Sequence, residues 1–216
     1  KIHYKTEESI IRRLKMFYIL IAVIGYFLGN ISSSYLVGKL GKNIDVREHG
    51  SGNPGTTNVF RVLGLKSGTI VLLGDVLKGV LATLIGRWIK GDIGALVGGA
   101  AAVAGHNWPF MLGFRGGKGI ATSFGTIVTL YPLIGLILLA VEALVIFISG
   151  YVSLASIISA IFLPILTIIF GKTPKDIIWA FGIGALAVFR HRSNIQRLRR
   201  GTENRVSKGN RVGRLK

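Results

Sequence analysis

The sequence contains no cysteine, and only 9 of its 216 residues are Asp or Glu. The absence of cysteine excludes disulfide bonds and thiolate chemistry. Histidine is also scarce, and the four histidines, His3, His49, His106 and His191, are widely separated. Because a metal ion needs several protein ligands close together, this scatter argues against a metal site. We therefore expect chemistry that uses neither a metal ion nor a cofactor.

Apolar residues dominate what is present: they make up 50% of the chain, and the mean hydropathy is +0.55. Apolar runs near the ~20 residues that cross a bilayer alternate with short basic connectors, which is typical of an integral membrane protein. The 27 Lys and Arg give a net charge of +18. Basic residues beside spans set topology and attract anionic lipid, so we expect membrane lipid as a partner and no nucleic acid.

The apolar runs predict an all-α, polytopic membrane helical bundle. We predict about seven transmembrane helices, with five or six as alternatives, at about 17–40, 67–89, 92–112, 119–131, 133–149, 151–170 and 174–190. The third span is rich in small residues (GALVGGAAAVAG), which favour close contact between helices, so we expect it to be central. The fourth is short and rich in Gly and Thr, so it could begin inside a cavity.

Basic residues in the connectors indicate the orientation. The segment 190–216 is rich in Lys and Arg and is expected to be cytoplasmic. With seven spans the N-terminus then lies outside, although the basic residues of 1–15 argue weakly against this. Met16 could be the true start, and we see no cleavable signal peptide.

Three polar, glycine-rich or basic segments interrupt the apolar chain: 50–61 (GSGNPGTTNVFR), 105–119 (GHNWPFMLGFRGGKG) and 191–205 (HRSNIQRLRRGTENR). Glycines let backbone N–H groups approach an anion closely, and Arg and Lys supply matching charge. An odd number of spans places all three segments on one side of the membrane. The pattern predicts a phosphorylated substrate handled at the membrane.

The first segment formally matches the GxGxxG nucleotide fingerprint, but it lacks the strand, the helix and the acidic ribose ligand of a βαβ unit. A plain tight turn is the alternative. The donors that follow it, Thr56, Thr57, Asn58 and Arg61, favour substrate binding over a turn alone.

The second segment contains Arg115 and the run 116–119 (GGKG). A Walker A loop would have Ser or Thr where Gly119 follows Lys118, so nucleoside triphosphate binding is disfavoured. Two interpretations remain equally open: a phosphate cradle at the start of a helix, whose N-terminal end carries partial positive charge, or a positive-inside connector.

Several polar residues near or within the spans complete the set. His106 is more typical of a hydrogen bond at a helix end than of a base, whereas the spacing of His191 and Asn194 allows both to face one site. Asp75 and Lys78 can pair on one helix face, either structurally or as part of the site. Glu142 stands alone in an apolar span and receives no functional interpretation.

The three segments, in this order and spacing, resemble the bacterial acyl-phosphate-dependent glycerol-3-phosphate acyltransferases, and the sequence GDVLKG around Asp75 is also similar. The resemblance covers roughly residues 16–205, a transmembrane acyltransferase domain, and leaves an N-terminal extension (1–15) and a basic C-terminal tail (206–216) outside it. It implies catalytic roles for Ser51, Arg61, Lys118, His191 and Asn194, and a more structural role for Glu203. Candidate substrate-binding or phosphate-binding residues in the same motifs are Gly50, Gly52, Asn53, Thr57, Asn58, His106, Arg115, Gly116, Gly117 and Gly119.

The resemblance implies attack by the 1-hydroxyl of glycerol 3-phosphate on a fatty acyl phosphate, giving lysophosphatidic acid and inorganic phosphate. It also implies a monomer in the bacterial cytoplasmic (inner) membrane, with the active site on the cytoplasmic face. The His-x4-Asp signature of acyl-CoA-dependent enzymes is absent, since Met111 and Gln196 stand five positions after His106 and His191. Because the donor is already activated, we interpret Ser51 as a hydrogen-bond donor rather than a nucleophile. His191 and the substrate's own phosphate are equal candidates for the general base.

Two other function classes fit less well. A transporter for an anionic solute would distribute polar groups through its spans and often shows two related halves. A lipid phosphotransferase would carry paired aspartates around a metal. Neither pattern is present in the sequence.

Overall fold

The computed structural model describes the backbone of residues 2–206 and the side chains of residues 12–206. Within this part of the chain the secondary structure is entirely helical. The α-helices are α1 Ile2–Asn30, α2 Ser33–Lys42, α3 Thr56–Asn107, α4 Ile120–Leu130, α5 Pro132–Ser149, α6 Val152–Ile169, α7 Pro174–Arg190 and α8 Arg192–Arg199. Single-turn 3-10 helices occupy Val46–Glu48 and Phe110–Leu112.

Four stretches of the described chain are long and apolar enough to cross a membrane: Arg12–Lys42, Thr56–Leu112, Pro132–Ser149 and Val152–Ile169. The all-α architecture with membrane-spanning character is therefore confirmed. Helices α4, with 11 residues, and α7, with 17, fall short of the usual spanning length. The count of seven spans and the orientation of the termini stay predictions.

Helix α3 is a hairpin rather than one rod. Gly64, with a φ of +83°, interrupts the first arm near its start. Lys90 and Gly91 leave the helical conformation at the turn between the arms, where Gly91 has a φ of +59°, which glycine adopts without strain. The two arms then pack closely together: a Cβ added to Gly98 would lie 2.3 Å from the carbonyl oxygen of Ala82. This break agrees with the boundary predicted between spans 67–89 and 92–112.

The two arms of α3 form the centre of the bundle. On one side a Cβ on Gly29 of α1 would lie 2.1 Å from the carbonyl oxygen of Ala102. On the other side a Cβ on Gly79 would lie 2.2 Å from the carbonyl oxygen of Thr122 in α4. Glycine is therefore required at these crossings, where backbones meet directly. The third predicted span, 92–112, meets α4 as well as α1, since a Cβ on Gly99 would lie 2.2 Å from Cγ2 of Thr126, so its central position is confirmed.

The predicted first span, 17–40, is divided in two. Helix α1 ends at Asn30 and α2 begins at Ser33, because Ser32 caps α2 and accepts a hydrogen bond from the Tyr35 N–H. Asn30 adds a further polar contact at the break, since its Oδ1 accepts from the Phe110 N–H at 2.7 Å. This hydrogen bond fixes the end of α1 to the second motif, which contains Phe110.

Helices α4 to α7 share an apolar core. Ile127, Ile134, Leu163 and Ile183, one from each helix in turn, are all buried there. The third motif, 191–205, begins where α7 ends, and it contains α8. It therefore lies at the end of this core where Gly150 and Tyr151 join α5 to α6. The fold thereby brings the third motif beside the loop that precedes α4.

Candidate active site

The first motif forms a turn held from beneath by Asn58. Gly50 and Gly52 adopt φ values of +61° and +70°. Asn58 is 2% exposed; its Oδ1 accepts from the Ser51 N–H at 2.9 Å, and its Nδ2 donates to the carbonyl oxygens of Val46 and His49. The side-chain amide of Asn58, which was predicted to bind substrate, thus forms its hydrogen bonds with protein groups. Thr57 lies in the first turn of α3, where N–H groups lack helical partners and can bind an anion.

A polar cavity of about 430 Å³ opens at this turn. It is lined by Arg115 and Gly116, two predicted phosphate-binding residues of the second motif, and by Ser51, Gly52 and Asn53 of the first motif. Asp45, Arg47, Glu48 and Pro54 complete the lining. The cavity therefore joins the first motif to the second. Arg47 is paired with Asp45, so Arg115 is the cation of the lining that is placed to meet an anionic group.

Arg47 was not among the sequence candidates. Its guanidinium pairs with Asp45 at 2.6 Å and also donates to the carbonyl oxygen of Leu112, which ties the 3-10 turn Val46–Glu48 to the second motif. In the sequence Arg47 is one more basic residue in a connector, so nothing separates it from a residue that only sets topology.

The second motif is clamped by Arg190, another residue that the sequence did not single out. The Arg190 guanidinium donates to the carbonyl oxygens of Gly116 at 3.1 Å and Gly117 at 2.7 Å. The N–H of Gly117 donates to the carbonyl oxygen of His106. A Cβ on Gly117 would lie 2.2 Å from His106 Nε2, so this glycine is needed for packing as well as for any anion contact.

His106, predicted to bind substrate, lies buried under the glycine loop. Its Nδ1 is 2.8 Å from Lys78 Nζ, and Lys78 also forms an ion pair with Asp75 at 2.9 Å. Ser33 donates to the same Asp75 carboxylate. The predicted pairing of Asp75 with Lys78 is present, and the contacts of this buried network support the loop from below.

The second and third motifs meet through Lys118. The Lys118 ammonium donates to Asn194 Oδ1, and Asn194 Nδ2 donates in turn to Glu203 at 2.7 Å. Glu203 also accepts from Arg197 at 2.7 Å and from Ser153 at 2.9 Å. Glu203 therefore links α6 and α8 to Asn194, and its structural role stays a prediction.

The first motif reaches the third through Arg61, whose guanidinium donates to the carbonyl oxygen of Asn204 at 3.3 Å. Gly119, with a φ of +80°, directs the chain from Lys118 into α4. All three motifs consequently meet at one end of the bundle. The contacts form two adjoining parts: the cavity at Ser51 and Arg115, and a cluster around Lys118, which Gly116 and Gly117 connect.

The charged groups of the cluster are shifted from their ordinary states. Burial lowers the pKa of Lys118 to about 8; Glu203 opposes the shift, and Arg197 and Arg61 add to it. Burial alone would raise the pKa of Glu203, but hydrogen bonds from Asn194, Arg197 and Ser153 lower it, so the carboxylate is ionised at neutral pH. The cluster therefore carries excess positive charge that an anion would offset.

His191 sits beside this cluster in its neutral form. Burial, and then the charge of Lys118, lowers the pKa of His191 to about 4. Its Nδ1 lies 2.7 Å from the carbonyl oxygen of Ala187. Because a carbonyl only accepts, we assign the proton to Nδ1, which leaves the lone pair on Nε2. Such an imidazole can accept a proton from a substrate.

Metal ligands are not grouped here: among residues 12–206 no three His, Cys, Asp or Glu side chains lie close enough together to hold a metal ion. The chemistry available to these residues is anion binding combined with proton transfer at His191. Both are what acyl or phosphoryl transfer to a hydroxyl requires.

Comparison with known proteins agrees with this chemistry. The family model described as glycerol-3-phosphate acyltransferase matches residues 19–201. A relative named glycerol-3-phosphate acyltransferase, from Thermoanaerobacter sp. (strain X514), is 49% identical over 191 residues, which cover 88% of this chain and 96% of the relative. A relative of the same name from Bacillus subtilis (strain 168) is 40% identical over 190 residues, covering 87% and 96%.

The fold is shared with crystal structures of PlsY (YgiH), an integral membrane glycerol 3-phosphate acyltransferase. Its glycerol 3-phosphate form matches with a TM-score of 0.84 and 38% identity over 88% of this chain and 96% of that one. Its lysophosphatidic acid form matches with a TM-score of 0.82 and 37% identity over 88% and 95%. Since the matches in sequence and structure span nearly the whole described chain, the protein belongs to the glycerol-3-phosphate acyltransferase family.

Proposed function

We propose that this chain is an acyl-phosphate:glycerol-3-phosphate O-acyltransferase, which transfers a fatty acyl group to the 1-hydroxyl of glycerol 3-phosphate and releases lysophosphatidic acid and inorganic phosphate. Relatives that bear the acyltransferase name, and the similar structures in glycerol 3-phosphate and lysophosphatidic acid forms, support the acylation of glycerol 3-phosphate. One observation favours acyl phosphate as the donor: two separate cations, Arg115 in the cavity and Lys118 in the adjoining cluster, could each hold one phosphate.

The reaction needs charge compensation more than covalent catalysis. Two bound phosphates bring several negative charges together, and Arg61, Arg115 and Lys118 offset their repulsion. A hydrogen-bond donor aimed at the developing charge typically contributes ~3 kcal/mol to transition-state stability. Ser51 fits the role of donor, since among the described residues no histidine or carboxylate accepts a hydrogen bond from its hydroxyl.

Proton transfer is assigned to His191. Its neutral Nε2 accepts the proton of the 1-hydroxyl as the hydroxyl oxygen attacks the acyl carbonyl carbon. The bond between that carbon and the phosphate oxygen then breaks, and inorganic phosphate leaves. The negative charge of a phosphate bound beside His191 favours the protonated imidazole. The pKa of His191 is therefore higher with substrate bound than in the empty site. The alternative base is the phosphate of glycerol 3-phosphate itself.

The acyl chain is proposed to lie in an apolar groove among α4 to α7. The groove is lined mostly by apolar side chains, among them Ile127, Leu163 and Ile183. Ala187, whose carbonyl contacts His191, lies at the end of the groove nearest the cluster. With a volume of about 40 Å³, the groove admits the first carbons of the acyl chain; the rest of the chain would extend into lipid while the phosphate reaches the cationic residues.

The membrane placement follows the same proposal. Seven transmembrane helices, with the N-terminus outside and the C-terminus inside, would place the three motifs at the cytoplasmic face of the bacterial inner membrane. Glycerol 3-phosphate would then arrive from solution, and we propose that the protein acts as a monomer.

The test of the proposed function uses the purified protein in detergent or lipid with glycerol 3-phosphate and either hexadecanoyl phosphate or hexadecanoyl-CoA. We expect lysophosphatidic acid and inorganic phosphate with the acyl phosphate alone, without ATP or added metal. Equal rates with the CoA ester would contradict the donor assignment. Failure to acylate glycerol 3-phosphate with either donor would contradict the activity.

The pKa of Lys118 predicts how the reaction depends on pH. In the free protein Lys118 is cationic below about pH 8 and loses its proton as the pH rises through that value. We expect kcat/KM for glycerol 3-phosphate to fall above about pH 8. In Lys118→Arg the fall should move to higher pH, since a guanidinium stays charged. An unchanged pH profile in that variant would contradict the assignment to Lys118.

Asn58→Ala tests the support of the first motif. The change removes the acceptor of the Ser51 N–H and one donor each to the Val46 and His49 carbonyl oxygens, which keep the backbone N–H groups of His49 and Gly52. The loss of these hydrogen bonds should cost about 1 kcal/mol. We expect lower thermal stability and a higher KM for glycerol 3-phosphate, measured by thermal unfolding and by initial rates. Asn204→Ala is the control: its side chain is exposed, and its carbonyl, which accepts from Arg61, is retained. Equal behaviour of the two variants would contradict the role of Asn58.

A further inference from the structure

Glu142 places a carboxyl group in the wall of the apolar groove. It is a groove-lining residue on α5, facing α6, and its Oε1 accepts a hydrogen bond from Ser156 at 2.9 Å. A carboxyl group inside a membrane bundle is costly, and residues of this kind normally face a cavity with a function. The partner lies 14 positions further along the chain, on the next helix. The sequence alone therefore leaves Glu142 without an interpretation.

The depth of Glu142 can be read along α6. Ser153, near the start of α6, bonds Glu203 and so marks the level of the cluster around Lys118. Ser156 lies three residues further into the bundle on the same helix face, a rise of roughly 4.5 Å. Glu142 is held at the level of Ser156. It therefore faces the first part of the groove, next to the catalytic groups.

If the acyl donor is an acyl phosphate, as proposed above, the position of Glu142 determines which part of the acyl chain it contacts. The carbonyl of a bound acyl group would lie at the cluster, so the first carbons of its chain would pass Glu142. A carboxyl group offers several acceptor positions, and Ser156 occupies only one of them. The remaining positions can accept a hydrogen bond from a hydroxyl on the chain.

We propose that Glu142 is a specificity-determining residue that adapts the groove to 3-hydroxyacyl phosphates. The reaction is otherwise unchanged: the bond between the carbonyl carbon and the phosphate oxygen breaks, the ester bond to glycerol 3-phosphate forms, and the 3-hydroxyl keeps its proton. With an unsubstituted chain the remaining acceptor positions of the carboxyl group face methylene groups instead. Buried acceptor positions that stay unpaired disfavour that substrate.

The test compares 3-hydroxyhexadecanoyl phosphate with hexadecanoyl phosphate as donors to glycerol 3-phosphate, using the purified full chain. The measured quantity is the ratio of the two kcat/KM values. We expect Glu142→Leu to lower the ratio, hydroxylated over unsubstituted, by about tenfold, the size expected for one hydrogen bond to a charged or carboxyl group. Glu142→Gln, whose amide oxygen still accepts, should keep the ratio within about threefold of the original.

Ser159→Ala is the matched control. Ser159 lines the same groove, but its hydroxyl donates to the carbonyl oxygen of Leu138 rather than to Glu142. Its ratio should stay as in the unmodified protein. A ratio that Glu142→Leu leaves unchanged, with both rates reduced alike, would overturn the proposal and leave Glu142 as a tie between α5 and α6. Activity with hexadecanoyl phosphate alone would overturn it too, whereas activity with neither donor would overturn the proposed function itself.

Discussion

Lys118→Ala is expected to lower kcat/KM for acyl transfer by about 10²–10³-fold, the loss typical of one donor that stabilises developing charge. The variant removes the cation that joins the second motif to Asn194, and it leaves Asn194 and Glu203 without their link to the glycine loop. Both binding of phosphate and stabilisation of the transition state should suffer. Initial rates over a range of both substrate concentrations measure the effect.

Lys66→Ala is the control for this result. Lys66 is an exposed lysine on α3 that lies outside the three motifs, and its replacement by alanine changes the net charge by the same amount. If the rate loss came from weaker attraction of anions by the whole protein, the two variants would behave alike. A difference of less than about tenfold between them would contradict a direct role for Lys118.

His191→Gln is expected to lower kcat by about 10²–10⁴-fold, the contribution typical of a general base. Glutamine is polar and similar in size, but it cannot accept a proton at neutral pH. KM for glycerol 3-phosphate should change much less than kcat. Thermal unfolding checks that the buried position, 3% exposed, tolerates the change.

The opposite kinetic pattern would assign the proton to the substrate. If kcat of His191→Gln stayed within a fewfold of the original while KM rose, His191 would be a binding residue, and the phosphate of glycerol 3-phosphate would be the base. His191→Ala should agree with whichever pattern His191→Gln shows, since both lack the imidazole.

Much of the fold could be predicted from the sequence, because long apolar runs identify membrane helices by composition alone. The break at Lys90 and Gly91 matches the boundary between two predicted spans, and the glycines around it explain why the arms of α3 pack closely. The break between α1 and α2 was missed. Its cause is the capping of α2 by Ser32, a local effect that the apolar average over 17–40 conceals.

The sequence predicted which motifs form the site, but not which of their residues contact one another in the fold. Lys118 and Asn194 are far apart in the sequence and meet only because α4 to α7 share one core. Arg190 was missed for the same reason, because nothing local shows that its guanidinium reaches the carbonyl oxygens of Gly116 and Gly117. Asn58 was predicted from its hydrogen-bonding capacity, yet the fold directs that capacity inward.

The central claim is that the three motifs form one phosphate-binding site on one side of the membrane. The absence of native cysteine allows this to be tested with single cysteines at Ser51, Arg115 and Asn204, all exposed positions at the site, and at Lys172, between α6 and α7 at the other end of the bundle. Labelling with a membrane-impermeant maleimide in inverted and right-side-out vesicles reports the side on which each one lies.

We predict that cysteines at Ser51, Arg115 and Asn204 react from the cytoplasmic side and that the one at Lys172 reacts from the outside. Reaction of the three motif positions from opposite sides of the membrane would contradict the account.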